Sequence, residues 1–478
     1  MAAAWLAACD SYDTFTTDRS ATLAFSTDTV RFDTLLATVP SATKTLIVYN
    51  HGDKGVRISS VRLEAGADSP FRINIDGQDL SRTTDNLATD FDVRRRDSII
   101  VRIEVTMPEE ATDSVTTVSD RLAFRLESGI EQTTALVAYG QRADFHRAWV
   151  VTADTTLRPY RPIVIYDSLV VAAGATLTLD AGTQLLFHEG AGVEVHGTLV
   201  AHGTLEAPVV LRGDRTDHIF DYLTYDRLPS RWQGVRLHPE SMLNELEYVD
   251  LHSGFYGILC DSALTDTLKL RLNACRIHNL GGDGLRVKAA TVEVANTELS
   301  NTLGHCVSLV GGSSAFTHCT LAQFYALDAN RGDALHLTNR GDDDTYYPMR
   351  RASFVNCVIT GYAEDVLMGA WFENQDYEAN YYFQNCFIAT VPTDDPARFV
   401  AITYDDPKSE TASYRNFKLI DTHNFVYDFT PDSASAIRGM ADIPAAQPWP
   451  LDRLGRSRLA DGAPDAGCYE YVPEATKP

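Results

Sequence analysis

The chain has 478 residues, with 41 basic and 65 acidic side chains, a formal net charge of −24 and 44% apolar residues. That length exceeds what one hydrophobic core usually serves, and the composition excludes disordered and collagen-like chains. The acidic balance repels phosphate backbones, so no nucleic-acid partner is expected, and no apolar run reaches the roughly 18 residues that span a bilayer.

In chain order, Met1 to Ala8 are apolar, and Leu6-Ala7-Ala8-Cys9 has the pattern of a bacterial lipobox. Small residues admit a signal peptidase, and Cys9 becomes the lipidated N-terminus. Residues 1–9 therefore read as the end of a lipoprotein signal whose basic region is expected upstream of Met1, and 10–19 as a polar tether. The expected location is the bacterial outer membrane, reached through a lipid anchor, with the chain exposed at the cell surface.

Residues 20–145 read as long alternating strands, among them Leu46-Ile47-Val48-Tyr49, Ile99-Ile100-Val101-Arg102-Ile103 and Leu122-Ala123-Phe124-Arg125-Leu126. Roughly seven such strands predict a small antiparallel, immunoglobulin-like β-sandwich. A boundary is expected between Asp144 and Asp154.

Beyond it the strands shorten, as in Leu177-Thr178-Leu179, Leu185-Leu186-Phe187 and Val193-Glu194-Val195, with Gly turns between them. A repeat then appears: Asn273-Ala274-Cys275, Ala295-Asn296-Thr297, Thr317-His318-Cys319, Val355-Asn356-Cys357 and Gln384-Asn385-Cys386 follow at steps of 22, 22, 38 and 29 residues. A coil of about 22 residues with three short strands fits a parallel β-helix, whose coils bury their apolar faces only by stacking. The Asn or His before Thr297, Cys319, Cys357 and Cys386 suits a left-handed turn, and stacked Asn side chains can hydrogen-bond along the axis. Stacked cysteines point in parallel, which is poor geometry for a disulfide, so they read as small buried hydrophobes.

Gly174 to Arg215 and Trp232-Gln233-Gly234-Val235 resemble the opening coils of right-handed β-helix proteins of the pectin-lyase-like superfamily. The tail, Asp452-x-x-Gly455-x-x-Arg458 followed by Gly462-x-x-Asp465-x-Gly467-x-Tyr469-Glu470, resembles the ending of bacterial surface β-helix proteins, with Cys468 where Ala is usual. Thr27-Asp28-Thr29-Val30-Arg31-Phe32 and Val48-Tyr49-Asn50 are similar to lipoproteins of the Bacteroidota that join a β-sandwich to a β-helix. The resemblance implies an all-β chain with a right-handed parallel β-helix over 155–440 and a C-terminal extension over 441–478.

The two long repeats carry inserts, and inserts in such folds gather on a binding face. The first holds Asp342-Asp343-Asp344, Tyr346, Tyr347, Arg350 and Arg351, and the second Trp371, Glu373 and Tyr377. Tyr346, Tyr347, Trp371, Glu373 and Tyr377 are the candidate ligand contacts, since aromatic faces stack on sugar rings and carboxylates accept from hydroxyls. No cofactor is expected; Ca²⁺ on Asp342 and Asp344 is the one metal the acidic run suggests. For catalysis, Asp344, Arg350, Arg351 and Asp365 are the nominees; Asp283, Asp328, Asp333 and Asp365 fall near turns where carboxylates could align. His278, His305, His318 and His336 are scattered singly and read as structural. The sequence thus favours a binding or scaffolding module for a polysaccharide or another surface protein, with a polysaccharide lyase or glycoside hydrolase as the alternative.

Overall fold

The computed structural model describes residues 14–473 apart from 110, 111, 221, 264, 343, 373–377 and 406–412. Its contacts divide the chain between Ala143 and Asp144 into two compact units.

In the first unit, strands such as Gly55–Leu63, Asp97–Val105 and Thr116–Leu126 bury alternate side chains, as the period of two requires. Among the described residues they form a six-stranded and a five-stranded sheet, paired mainly antiparallel. Ile58, Val61 and Phe124 of one sheet meet Ile73, Val101 and Ile103 of the other in a single core. Phe25 packs on Phe124 and Phe32 on Phe71 across it, with ring centroids 5.2 and 6.1 Å apart.

The second unit is a parallel β-helix. One coil runs through Leu285–Lys288 on a first face, Thr291–Ala295 on a second and Glu298–Thr302 on a third. The next coil repeats them as Val307–Val310, Gly312–Thr317 and Thr320–Gln323, each pairing in parallel with its predecessor. Second-face strands stack into a 10-stranded sheet among the described residues. The other two faces merge, because the first half of Ile163–Val171 pairs with Gln184–Phe187 and its second half with Gly192–Val195. Inside, Phe316, Phe354, Phe383 and Phe399 stack with centroids 4.8, 5.0 and 5.0 Å apart, close to the strand spacing that sets them.

A single left-handed residue turns the chain from the second face to the third. It is Tyr248, Ala274, Asn296, His318, Asn356 or Asn385, with φ of 47° to 58°. Asn tolerates this conformation better than other non-glycine residues. The next position is always buried, and pairing of Arg276 with Glu298, Glu298 with Thr320, Thr320 with Val358 and Val358 with Phe387 stacks Cys275, Thr297, Cys319, Cys357 and Cys386 directly above one another. The Cys275 thiol donates to the Leu246 carbonyl at 3.3 Å, and burial pushes its pKa up to about 12. This column packs; it does not react.

The Asn column is only partly bonded along the axis, through Asn356 to His318 at 3.0 Å and Asn296 to Asn273 at 3.3 Å. Otherwise its amides hold the C-terminal segment. Asn385 donates to the Met440 carbonyl at 2.9 Å, Asn356 exchanges two bonds with the Asp442 backbone, and Asn296 accepts from Arg458 at 2.9 Å. The conserved-looking spacing of the tail is explained by these contacts. Asp452 accepts the amides of Leu454, Arg456 and Glu470, and Asp465 those of Gly439 and Tyr471. Arg458, fully buried, meets Glu470 at 2.6 Å.

Candidate functional site

Cys9, Glu373 and Tyr377 lie outside the described residues. Trp371 is half-buried and stacks on Tyr381 at 5.4 Å. The Tyr346 hydroxyl accepts the Glu378 amide at 2.7 Å, its ring packs edge-on to Phe372, and Tyr347 lies under the Lys288 ammonium. The expected grouping of arginines with the acidic run is not made. Asp342 bonds Arg286 at 2.5 Å and Asp344 bonds Arg340 at 2.6 Å, while Arg350 reaches Asp266 and Arg351 bonds Ser353. Asp342, Asp344 and Arg350 each take an oppositely charged partner other than one another, and Arg351 takes the Ser353 hydroxyl, so the inserts split into separate pairs.

Polar side chains converge elsewhere, on the outside of the third face. Alternation along Val249–His252, Arg276–Leu280 and Glu298–Thr302 sets Asp250, Arg276 and Glu298 in one outward column. His252, His278 and Ser300 form the next. One oxygen of Asp250 accepts from His252 Nδ1 at 2.8 Å and His278 Nε2 at 3.1 Å. The other accepts from Arg276 Nη2 at 2.5 Å and Nε at 3.1 Å. Burial would raise the Asp250 carboxyl, but Arg276 and His252 outweigh it and hold it well below the usual carboxylate range. Burial and Arg276 together lower the pKa of His278 and favour its neutral form. Glu298 accepts from Ser300 Oγ at 2.7 Å and from the Tyr469 hydroxyl.

Two other segments close over these columns. The hairpin of Phe417–Asp421 and Val426–Pro431 brings Phe425, Val426 and Tyr427, and the turn Tyr225–Arg227 brings Asp226 and Arg227. Arg227 donates to the Asn424 carbonyl at 3.2 Å, tying turn to hairpin, and Tyr427 donates to the Phe324 carbonyl at 3.2 Å. Between roof and floor is a cavity of about 230 Å³. Asp226 pairs with Arg212 at 3.2 Å, so the acids at this site are largely matched by cations. Sequence reasoning did not reach this cavity. The available signal was Asp250-Leu251-His252 and Arg276-Ile277-His278 at the same position of consecutive coils.

A second cluster forms where the chain enters the first face. Backbone bonds from Gly284 to His305 and from Cys306 to Asp333, with the strand registers, place Asp283, His305, Asp333 and Asp365 at one position of four successive coils. Asp328, nominated with them, sits in an exposed loop and caps the Asn330 amide instead. His305 and His336, expected to be isolated, stack with centroids 4.5 Å apart beside Asp333. Burial raises the Asp333 carboxyl, but the neighbouring imidazoles of His305 and His336 outweigh it and hold it down at about 2. His278 likewise has a partner ring, His252, at 5.0 Å. His318 is structural: it is wholly buried, bonded to Asn356, and held neutral by burial. Asp365 accepts from the Leu367 amide and the Thr390 hydroxyl.

No protein-family model matches this chain, and no curated protein matches it. Among solved structures, the catalytic unit of a thermostable GH87 alpha-1,3-glucanase from Streptomyces thermodiastaticus aligns with a TM-score of 0.26 and 10% identity, over 76% of this chain and 74% of that one. An ASH / PapD-like domain of human CEP192 aligns at 0.18 and 16% identity, over 27% of this chain and 89% of that one. A family 123 glycoside hydrolase from Clostridium perfringens aligns at 0.17 and 7% identity, over 24% and 26%. What the site can do rests on its own geometry.

Proposed function

We propose that this chain is a surface lipoprotein, held in the bacterial outer membrane by a lipid on Cys9, whose β-helix binds the end of a glycan in the cavity over Asp250, Arg276 and Glu298. The observation that carries this reading is the cavity itself, about 230 Å³ and lined by carboxylates, guanidinium groups, imidazoles and Ser300 beside Phe425 and Tyr427. A sugar ring offers hydroxyls that both donate and accept, together with apolar C–H faces. Ionised groups with fixed partners give it strong, oriented hydrogen bonds. Because Asp250 is matched by Arg276 and Asp226 by Arg212, the site favours a neutral hydroxylated ligand over an ion.

On a glycan array, the chain is expected to bind one class of sugar end. Arg276→Gln and Tyr427→Ala should each weaken that binding at least tenfold, about 1.4 kcal/mol, with circular dichroism confirming the fold. Trp371→Ala should leave it unchanged, since that ring is packed on Tyr381. Binding lost with Trp371 and untouched by the cavity variants would move the contact surface to the inserts. For the anchor, a palmitate probe fed to expressing cells is expected to label the chain and not its Cys9→Ala variant; label persisting in the variant rejects it.

A second reading, glycoside hydrolysis, is favoured by one observation: Asp333 and Asp365 stand on neighbouring coils. Coil spacing of about 4.8 Å is near the roughly 5–5.5 Å between carboxyls in retaining glycosidases. Asp333, held down at about 2, suits the anionic role. Reducing ends released by the chain and not by Asp365→Asn would establish this reading over simple binding.

A further inference from the structure

We infer that His305, Asp333 and His336 form a binding site for a divalent transition-metal ion such as zinc, apart from the glycan cavity. Their donor atoms already converge. Asp333 Oδ2 lies 3.2 Å from His305 Nδ1 and 3.9 Å from His336 Nδ1. Ligands bonded at about 2.0–2.1 Å to a tetrahedral zinc ion sit roughly 3.3 Å apart, so a small closing motion of His336 completes the arrangement.

Two further observations point to a cation site. His336 Nδ1 is shielded from solvent and has no hydrogen-bond partner, an unusual state for a buried polar atom. The column also carries three carboxylates, Asp283, Asp333 and Asp365, with His305 between the first two, and among the described residues no Lys or Arg forms an ion pair with Asp333. The other triad, Asp250, His252 and His278, has a similar outline, but there Arg276 occupies the second carboxylate oxygen and already supplies the positive charge.

The chemistry of the donors narrows the ion. Two imidazoles and one carboxylate suit zinc and its neighbours, whereas calcium takes six to eight oxygens. His305 Nδ1 accepts the Asp333 amide at 3.0 Å, so this nitrogen is unprotonated and its lone pair faces Asp333. An ion bound there replaces that single neutral hydrogen bond. The side chains of His305, Asp333 and His336 are 28%, 25% and 24% exposed, which leaves an open side for water to supply the fourth ligand.

The test uses the full chain without a histidine tag. Titration calorimetry with zinc chloride is expected to give one ion per chain, and Co²⁺ to give visible absorption bands of a nitrogen-ligated tetrahedral site. His336→Ala and Asp333→Asn should each weaken zinc binding at least tenfold and abolish those bands, with the thermal melt of the apo chain checking the fold. Should Asp333→Asn not fold, His305→Gln, also at the surface, provides the same comparison. His252→Ala should bind zinc as the parent does, and calcium chloride should give no heat at matching concentrations. Absence of binding by the parent chain, binding that survives both substitutions, or binding lost on His252→Ala would each overturn the proposal.

Discussion

Arg458→Ala is expected to lower the stability of the β-helix by about 3–5 kcal/mol, the usual cost of removing one partner of a buried ion pair. The guanidinium is wholly buried, bonds Glu470 at 2.6 Å and reaches Asn296 at 2.9 Å. Without it, Glu470 keeps only the Asp465 amide as a donor, at 3.1 and 3.2 Å to its two oxygens. Burial already pushes the Glu470 carboxyl up to about 8 beside Arg458, and without that counterion its charged form is disfavoured further. The lost bond to Asn296 also frees one end of the C-terminal segment from the coils. Chemical denaturation of the variant beside Glu470→Gln and the double substitution gives the coupling directly. A double variant no less stable than either single one is expected, because the pair acts as a unit. A loss below about 1 kcal/mol for Arg458→Ala would mean that the segment is held by its backbone contacts alone.

Phe354→Ala should cost a similar amount, about 3–5 kcal/mol, for a different reason. Its ring lies between those of Phe316 and Phe383, at 4.8 and 5.0 Å, and all three are fully buried. Strand pairing fixes the coils on either side, so the neighbouring rings cannot move together to fill the space. The cavity stays open and both contacts are lost. Tyr346→Ala, which removes a half-buried ring among the inserts, is the control and should change stability by less than 1 kcal/mol. Equal losses from the two substitutions would show that the aromatic column does not carry the core.

The architecture was legible because one coil position is chemically narrow. A left-handed turn followed by a small buried side chain admits few residue types, so Asn or His before Cys or Thr recurs at 297, 319, 357 and 386, with Ala before Cys275, even where inserts change the step. The tail motif was legible as a pattern, though not as the clasp it forms, since its partners on the coils lie more than about 100 residues away, as in Cys468 to Thr320 and Arg453 to Cys275. The sites were harder to read for the same reason. Asp250 and His278, or His305 and Asp333, are 28 residues apart and become neighbours only through the exact register of unequal coils. Residues that cluster along the sequence, such as Asp342 to Asp344, are more conspicuous there. Clustering there raises like-charge repulsion, and Asp342 and Asp344 are taken up by different arginines.

The C-terminal segment runs alongside the stack, touching it at Cys275, Asn296, Thr320, Asn356 and Asn385. It is synthesised after every coil it fastens. Until it arrives, those rungs hold only their immediate neighbours and can fray one at a time, as expected for an array whose elements meet only in sequence. Docking this strap also couples rungs that are not immediate neighbours. A nascent chain halted before residue 440 would therefore keep its spiral while remaining open to proteolysis along that edge, and maturation would end in one late, cooperative fastening.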